Sequence, residues 1–124
     1  MIASDTSSLS ALLKGEAGPD VERLAAAMLS GSLWLPPVVV TELLSDPLAS
    51  ASISEHLAQI ELLPILDGYW QRAGNSRQSV KRAGLKCKVA GALVAQSCID
   101  HDVALITRHT DFRHFAKHCG LKLA

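Results

Sequence analysis

The chain has 124 residues, 48% of them apolar and 4% aromatic, and we expect one domain with an aliphatic core spanning residues 1–124. The formal net charge is zero, which excludes a uniformly basic or acidic protein, and no apolar run approaches the roughly 18 residues of a membrane helix. The chain start lacks a basic segment and the three cysteines lack paired spacing, so we expect no signal peptide, reduced thiols and a cytoplasmic location.

The first half of the chain alternates short apolar segments with helical patterns. We predict strands at 2–4 and 33–35 and helices at 6–13, 19–30, 37–44 and 52–60. Thr6 or Ser7 is expected to cap the first helix, and Gly31 to end the second. Pro37 suits the first turn of the third helix, because proline lacks only a donor that is unpaired there.

The second half continues the alternation. We predict helices at 68–83, 89–101 and 111–118, strands at 103–106 and 121–123, and a short strand or edge segment at 62–66. Pro64 limits that segment, since proline cannot donate to a strand ladder. Short parallel strands that alternate with helices predict an α/β sandwich, with functional residues at the carboxyl ends of the strands.

Acidic residues follow or approach these strand ends. Asp5 comes directly after the first strand, in Asp5-Thr6-Ser7, and Glu42 lies in the helix after the second strand. Asp111 closes the segment Thr107-Arg108-His109-Thr110-Asp111-Phe112, which follows the strand at 103–106. Hard divalent cations prefer carboxylate ligands gathered in this way. The structural alternatives are helix caps for Asp5 and Asp111 and a surface position for Glu42.

The order and spacing of these acids resemble those of a PIN-domain ribonuclease, most closely a VapC-type toxin of a type II toxin–antitoxin pair. The resemblance covers nearly the whole chain and implies a PIN-like α/β/α sandwich, with a short, mostly parallel central sheet flanked by helices. It also implies that Mg²⁺ (or Mn²⁺) is held by carboxylates that catalyse RNA hydrolysis. The residues it assigns are Asp5, Glu42 and Asp111 as metal ligands and catalytic groups, with Thr6, Ser7, Thr107 and His109 in support.

One position departs from the family pattern. The stretch from Gly91 to Gln96 matches a family segment that begins with a metal-binding Asp, so Gly91 is a vacant Asp position. Glycine is also unfavourable within a helix, by about 1 kcal/mol against alanine. The chain is then either an inactivated copy of a toxic enzyme or a natural departure from the pattern. Either origin predicts a folded protein with impaired cleavage.

Charge is distributed unevenly along the chain. Residues 1–67 hold nine acids and two bases, a net of −7, whereas residues 68–124 hold ten bases and three acids, a net of +7. A basic stripe beside an acidic cluster is typical of proteins that bind phosphates, although it also fits a solvated helix face. The candidate RNA-binding residues are Arg72, Lys81, Arg82, Lys86, Lys88 and Arg108.

The resemblance implies partners as well as a substrate. It predicts an RNA substrate, a homodimer and a VapB-like antitoxin that covers the active-site groove, with DNA bound only through the antitoxin and no membrane contact. Candidate partner-facing apolar residues are Val38, Leu43, Leu44, Ile53 and Leu57. Because the acidic set is incomplete, a second hypothesis is a non-catalytic module that binds RNA or an antitoxin. A hydrolase acting on another phosphoester is a third.

Overall fold

The computed structural model describes residues 1–124 as a parallel sheet flanked by helices. The strands are β1 (Ile2–Ser4), β2 (Leu33–Leu35), β3 (Glu61–Leu62) and β4 (Ala104–Ile106). The helices are α1 (Thr6–Leu13), α2 (Pro19–Ser30), α3 (Pro37–Leu44), α4 (Ala51–Leu57), α5 (Tyr69–Arg82), α6 (Val89–Asp100) and α7 (Phe112–Cys119). The predicted α/β architecture is therefore confirmed.

The sheet has the order β3-β2-β1-β4, and every neighbouring pair is parallel. Where β1 pairs with β4, Ala3 lies opposite Leu105 and Ser4 lies opposite Ile106. Parallel strands place all their carboxyl ends at one edge, so the residues after β1 and β4 become neighbours. The Asp5 amide accordingly donates to the Ile106 carbonyl at 3.1 Å.

The core is an aliphatic cluster of 21 buried residues that extends from Ala3 to Leu121 and joins the sheet to helices of both halves of the chain. Strand residues such as Leu35 and Leu105 are fully buried because both faces of a parallel sheet are covered. Cys98 lies in this core, where burial raises the pKa of its thiol to about 12. No helix combines the length and apolar character needed to cross a membrane.

Four local predictions need correction. Asp5, rather than Thr6 or Ser7, caps α1, because its carboxylate accepts the Ser8 amide. The helix predicted at 52–60 ends at Leu57 and passes into a turn. The segment predicted at 62–66 pairs only through Glu61–Leu62, and the strand predicted at 121–123 is a single bridge between Leu105 and Leu123. These segments are too short, or too interrupted by Pro64, to extend a ladder.

Candidate active site

Asp5 is buried at the carboxyl edge of the sheet, and three hydrogen-bond donors contact its carboxylate. Asp5 is 3% exposed, and its carboxylate accepts a hydrogen bond from the Ser8 amide at 3.0 Å. This bond satisfies a free donor of the first turn of α1. The Ser7 hydroxyl donates to both carboxylate oxygens, at 2.9 and 2.7 Å, and the Thr107 hydroxyl donates at 2.6 Å. These contacts fix the orientation of the carboxylate.

Glu42 reaches the same region from α3. Its Oε1 accepts the Thr6 hydroxyl at 2.7 Å, so the second acid is connected to the residue that directly follows Asp5. Pro36 and Pro37 end β2 and begin α3, and this turn directs the helix back across the start of α1. Thr6 thus contacts Glu42 and Ser7 contacts Asp5, while the supporting role of these hydroxyls at a catalytic site stays a prediction.

Thr107 connects the end of β4 to Asp5. Its hydroxyl donates to Asp5 and accepts the amide of His109 at 2.9 Å. The Arg108 amide lies 3.4 Å from the Ser7 hydroxyl, so the segment after β4 is bound to the start of α1 by two contacts. This arrangement depends on β1 and β4 being adjacent strands.

Gly91 is the third residue of α6 and lines the same cleft as Asp5 and Glu42. A Cβ atom added there meets only the Phe115 ring, at 4.0 Å, which is an ordinary van der Waals distance. The backbone at this position is not in the left-handed region, so glycine is not required by conformation. A side chain can therefore begin at this position without a clash at its Cβ atom.

His109 and Asp111 lie at the rim of the cleft. Their side chains are 58% and 66% exposed, and His109 Nδ1 lies 3.7 Å from Asp111 Oδ2. Asp111 precedes α7 but its side chain makes no capping hydrogen bond, so the helix-cap alternative is not realised. Both residues face the cleft without contacting Asp5 or Glu42 through hydrogen bonds.

The cleft that these residues share has a volume of about 550 Å³ and mixes both signs of charge. Among its lining residues are Asp5, Glu42, Asp111 and Glu16 as acids, and Lys14, Lys86, Lys88 and Arg108 as bases. Apolar side chains are a minority of the lining. A cleft with fixed carboxylates inside and lysines along its edge suits a phosphate-bearing ligand better than an apolar one.

Arg108 is bound to an acid that the sequence did not single out. Its Nε and Nη2 atoms donate to the two carboxylate oxygens of Asp20 at 2.8 and 3.1 Å, and Glu16 lies at 3.7 Å. The Arg108 guanidinium holds the pKa of the Asp20 carboxyl well below its usual range. Asp20 also accepts the Ser8 hydroxyl at 2.8 Å. Its position at the start of α2 gave no signal beyond that of an ordinary first-turn acid.

The predicted RNA-binding bases do not form one stripe. Lys86, Lys88 and Arg108 line the cleft, whereas Lys81 and Arg82 line a separate depression on α5. Arg72 donates from Nε and Nη2 to Asp100 at 2.9 and 2.6 Å and from Nη1 to the Asp67 carbonyl. Because these donors join α5 to α6, we expect Arg72 to contribute less to RNA binding than the lysines do, which stays a prediction.

A divalent metal ion needs several oxygen ligands gathered at one point. No three His, Cys, Asp or Glu side chains lie close enough together to hold one. The Asp5 oxygens already accept hydrogen bonds from three protein donors, and Gly91 offers no ligand. As the chain stands, its residues do not fit a metal centre built from several carboxylates.

The sequence matches the model of the PIN domain over residues 2–118, and the chain belongs to the PIN-domain family. PIN domains are generally nucleases, a class of hydrolase, and usually use divalent metal ions. The crystal structure of VapBC2 from Rickettsia felis, bound to a DNA fragment from their promoter, contains a similar chain with a TM-score of 0.74 and 18% identity. That match covers 100% of this chain and 98% of the other. Among curated proteins, none matches significantly.

Proposed function

We propose that this chain is a VapC-type toxin, a single PIN-like domain over residues 1–124, and that it derives from a Mg²⁺- or Mn²⁺-dependent endoribonuclease. We further propose that Gly91 impairs cleavage by removing one carboxylate from the site. The observation that carries the proposal is the placement of Asp5, Glu42, Asp111 and Gly91 around one cleft, with open space at Gly91.

The remaining residues suit the binding of a phosphodiester. Lys86 and Lys88 are exposed cations at the cleft edge, where they attract phosphate oxygens and add the salt-dependent part of RNA affinity. Asp5 and Glu42 are held in fixed orientations by hydroxyl donors. Preorganised charges of this kind are the main requirement of phosphoryl chemistry, so a missing carboxylate reduces cleavage more than it reduces RNA binding.

We infer a VapB-like antitoxin as the partner, with DNA reached only through it, and a homodimer as the assembly. Support comes from the fold shared with a chain of the Rickettsia felis complex. Two predicted partner-facing residues are corrected: Leu43 and Leu57 belong to the buried core. Leu44 is 46% exposed and lines a mostly apolar groove between α3 and α4, together with Val40 and Leu62, which suits an apolar helix of a partner.

The second candidate function is a non-catalytic module that binds RNA or an antitoxin. It is favoured by the absence of any three potential metal ligands close together and by the full engagement of Asp5 with hydrogen-bond donors. Both candidates share the cleft and the same lysines, so RNA binding alone does not distinguish them. The two candidates are distinguished by whether the protein cleaves RNA once an acid is placed at position 91.

The deciding experiment is RNA cleavage with Mg²⁺ or Mn²⁺ by the chain, by Gly91→Asp and by Gly91→Asn. Asparagine has nearly the shape of aspartate without its charge, so it is the matched control. We expect strong cleavage by Gly91→Asp alone and its loss when Asp5→Ala is added. If all forms cut equally, the impairment is refuted. If none cuts a broad RNA panel while circular dichroism shows them folded, the binding module is the better description.

A further inference from the structure

A second positively charged surface lies on α5, outside the cleft. This helix contains no acid, and its bases Arg77 and Lys81 have the i, i+4 spacing of neighbours on one helix face, with Arg82 next to Lys81. With Gly74 and Gln78 they line a surface depression of about 460 Å³ that contains neither an apolar nor an acidic side chain. We call these five residues the α5 basic face.

The cations of the α5 basic face are not neutralised within the protein. No carboxylate lies within 4.0 Å of Arg77, Lys81 or Arg82, although Arg72 on the same helix is paired with Asp100 and Arg108 is paired with Asp20. Like charges one helical turn apart reduce helix stability. This repulsion therefore lowers the stability of the unliganded protein, and a bound anionic ligand would relieve it.

The α5 basic face is linked to the edge of the cleft by one hydrogen bond. Arg77 Nε donates to the Cys87 carbonyl at 2.9 Å, and Cys87 lies between Lys86 and Lys88 in the loop that forms the cleft edge. Arg77 thus holds this loop against α5. A polyanion bound at Lys86 and Lys88 therefore has a second set of cations, Lys81 and Arg82, on the helix that holds this loop.

We propose that the α5 basic face binds the phosphate backbone of the RNA at a distance from the scissile bond, and so contributes to affinity and substrate choice. The identity of the occupant rests on the proposed function. RNA is favoured over an acidic protein segment because the face lacks the apolar anchors that protein interfaces use. Guanidinium groups also match phosphate geometry with two donors at once.

The test measures binding of a fluorescein-labelled single-stranded RNA by anisotropy, in EDTA, over a range of salt. Lys81→Gln/Arg82→Gln removes two cations of the face, and Arg23→Gln/Lys122→Gln removes two cations from exposed positions on α2 and near the carboxyl terminus. We expect the slope of log affinity against log salt to become shallower by about 1.4 in the first variant, at about 0.7 per lost phosphate contact. Affinity falls on the order of tenfold at about 0.1 M salt, and the control retains the affinity of the parent.

The outcomes separate this inference from the proposed function. If Lys86→Gln/Lys88→Gln weakens RNA binding while Lys81→Gln/Arg82→Gln does not, the inference is overturned and the proposed function stands. If RNA binds through Lys81 and Arg82 but Gly91→Asp never cuts, the inference stands and the cleavage proposal fails. If no form binds RNA and labelled poly-glutamate binds through Lys81 and Arg82, RNA is the wrong occupant. Thermal melting confirms that each variant is folded.

Discussion

Asp5 both caps a helix and lines the cleft. Its carboxylate caps α1 and accepts the Thr107 hydroxyl, so removal breaks a cap and leaves buried donors unpaired. We expect Asp5→Ala to lower the free energy of unfolding by about 2 kcal/mol, since a lost cap costs about 1 kcal/mol and an unpaired buried donor about as much. Urea denaturation measures the change.

The matched control for that measurement is Asp111→Ala, which removes a carboxylate from the rim of the same cleft. Asp111 is mostly exposed and makes no capping bond, so its removal changes the free energy of unfolding by less than about 0.5 kcal/mol. Equal losses in the two variants would mean that the hydrogen bonds to Asp5 do not stabilise the fold.

Asp20 makes stability depend on pH. Its folded-state pKa is lowered, chiefly by Arg108, so the unfolded chain binds a proton first as the pH falls below about 4. The contribution is therefore complete above the unfolded pKa and is lost on acidification. We expect Asp20→Asn to lower the free energy of unfolding at neutral pH. We also expect this variant to lose less of that free energy than the parent does between about pH 5 and about pH 2.

Urea unfolding at several pH values tests this, with Glu22→Gln as the control on the same helix, since Glu22 is exposed and forms no ion pair. Asp100 has a lowered pKa for the same reason, through its hydrogen bonds from Arg72, and retains part of the acid dependence in both variants. If Asp20→Asn lost as much stability at low pH as the parent does, the contact with Arg108 would not be the source of the acid dependence.

Between elements, the contact of α5 with α6 depends on Arg72. The side chain of Asp100 is 5% exposed, and Arg72 supplies two of its hydrogen bonds while Gln96 supplies a third. Arg72→Gln leaves a largely buried carboxylate short of donors, so we expect a lower midpoint of urea unfolding. Because Arg72 is used internally, the salt dependence of RNA binding remains that of the parent.

Lys81→Gln is the matched control on the same helix. Lys81 is exposed and unpaired, and its substitution also removes its repulsion with Arg77, so we expect the unfolding midpoint to stay the same or rise slightly and RNA binding to become less salt-dependent. The reverse pattern, with Arg72 affecting RNA and Lys81 affecting stability, would restore the sequence-based assignment of Arg72 to the RNA-binding set.

The sequence predicted the longer elements because periodicity and end signals agreed. α2 begins at Pro19 and ends before Gly31, whose φ of 71° lies in the left-handed region that glycine adopts readily. The chain between 58 and 66 was mispredicted because a two-residue strand exists only through its pairing with β2. Local sequence carries no record of such a partner.

The candidate site was predictable to a similar extent. The acids that follow strand ends lie around one cleft, since parallel strands bring their carboxyl ends together. Asp20 was missed because its contacts with Arg108 and Ser8 depend on how α2 packs on α1 and beside β4. The separation of Lys81 from the cleft lysines likewise depends on where the turn after α5 directs the loop.

For the whole molecule, the cleft is lined by residues from both halves of the sequence, whose net charges are opposite. Residues 1–67, with a net charge of −7, form β1 to β3 and α1 to α4. Residues 68–124, with a net charge of +7, form the remaining elements and supply the cleft bases Lys86, Lys88 and Arg108. We infer from this distribution that the neutral protein has an uneven surface charge, and that a polyanion is attracted to the surfaces where the bases lie.

The same asymmetry predicts association between copies at low salt. At about 0.01 M ionic strength charges act over about 30 Å, so the acidic half of one molecule attracts the basic half of another, whereas at about 0.15 M the range falls to about 8 Å. We expect the average mass from light scattering at pH 7 to fall as salt rises toward the physiological value. Lys81→Gln/Arg82→Gln should reduce the low-salt mass because it removes two positive charges from the basic half. A homodimer held by apolar contacts persists through the salt range, so a mass that stays constant would show that specific packing, rather than charge asymmetry, determines assembly.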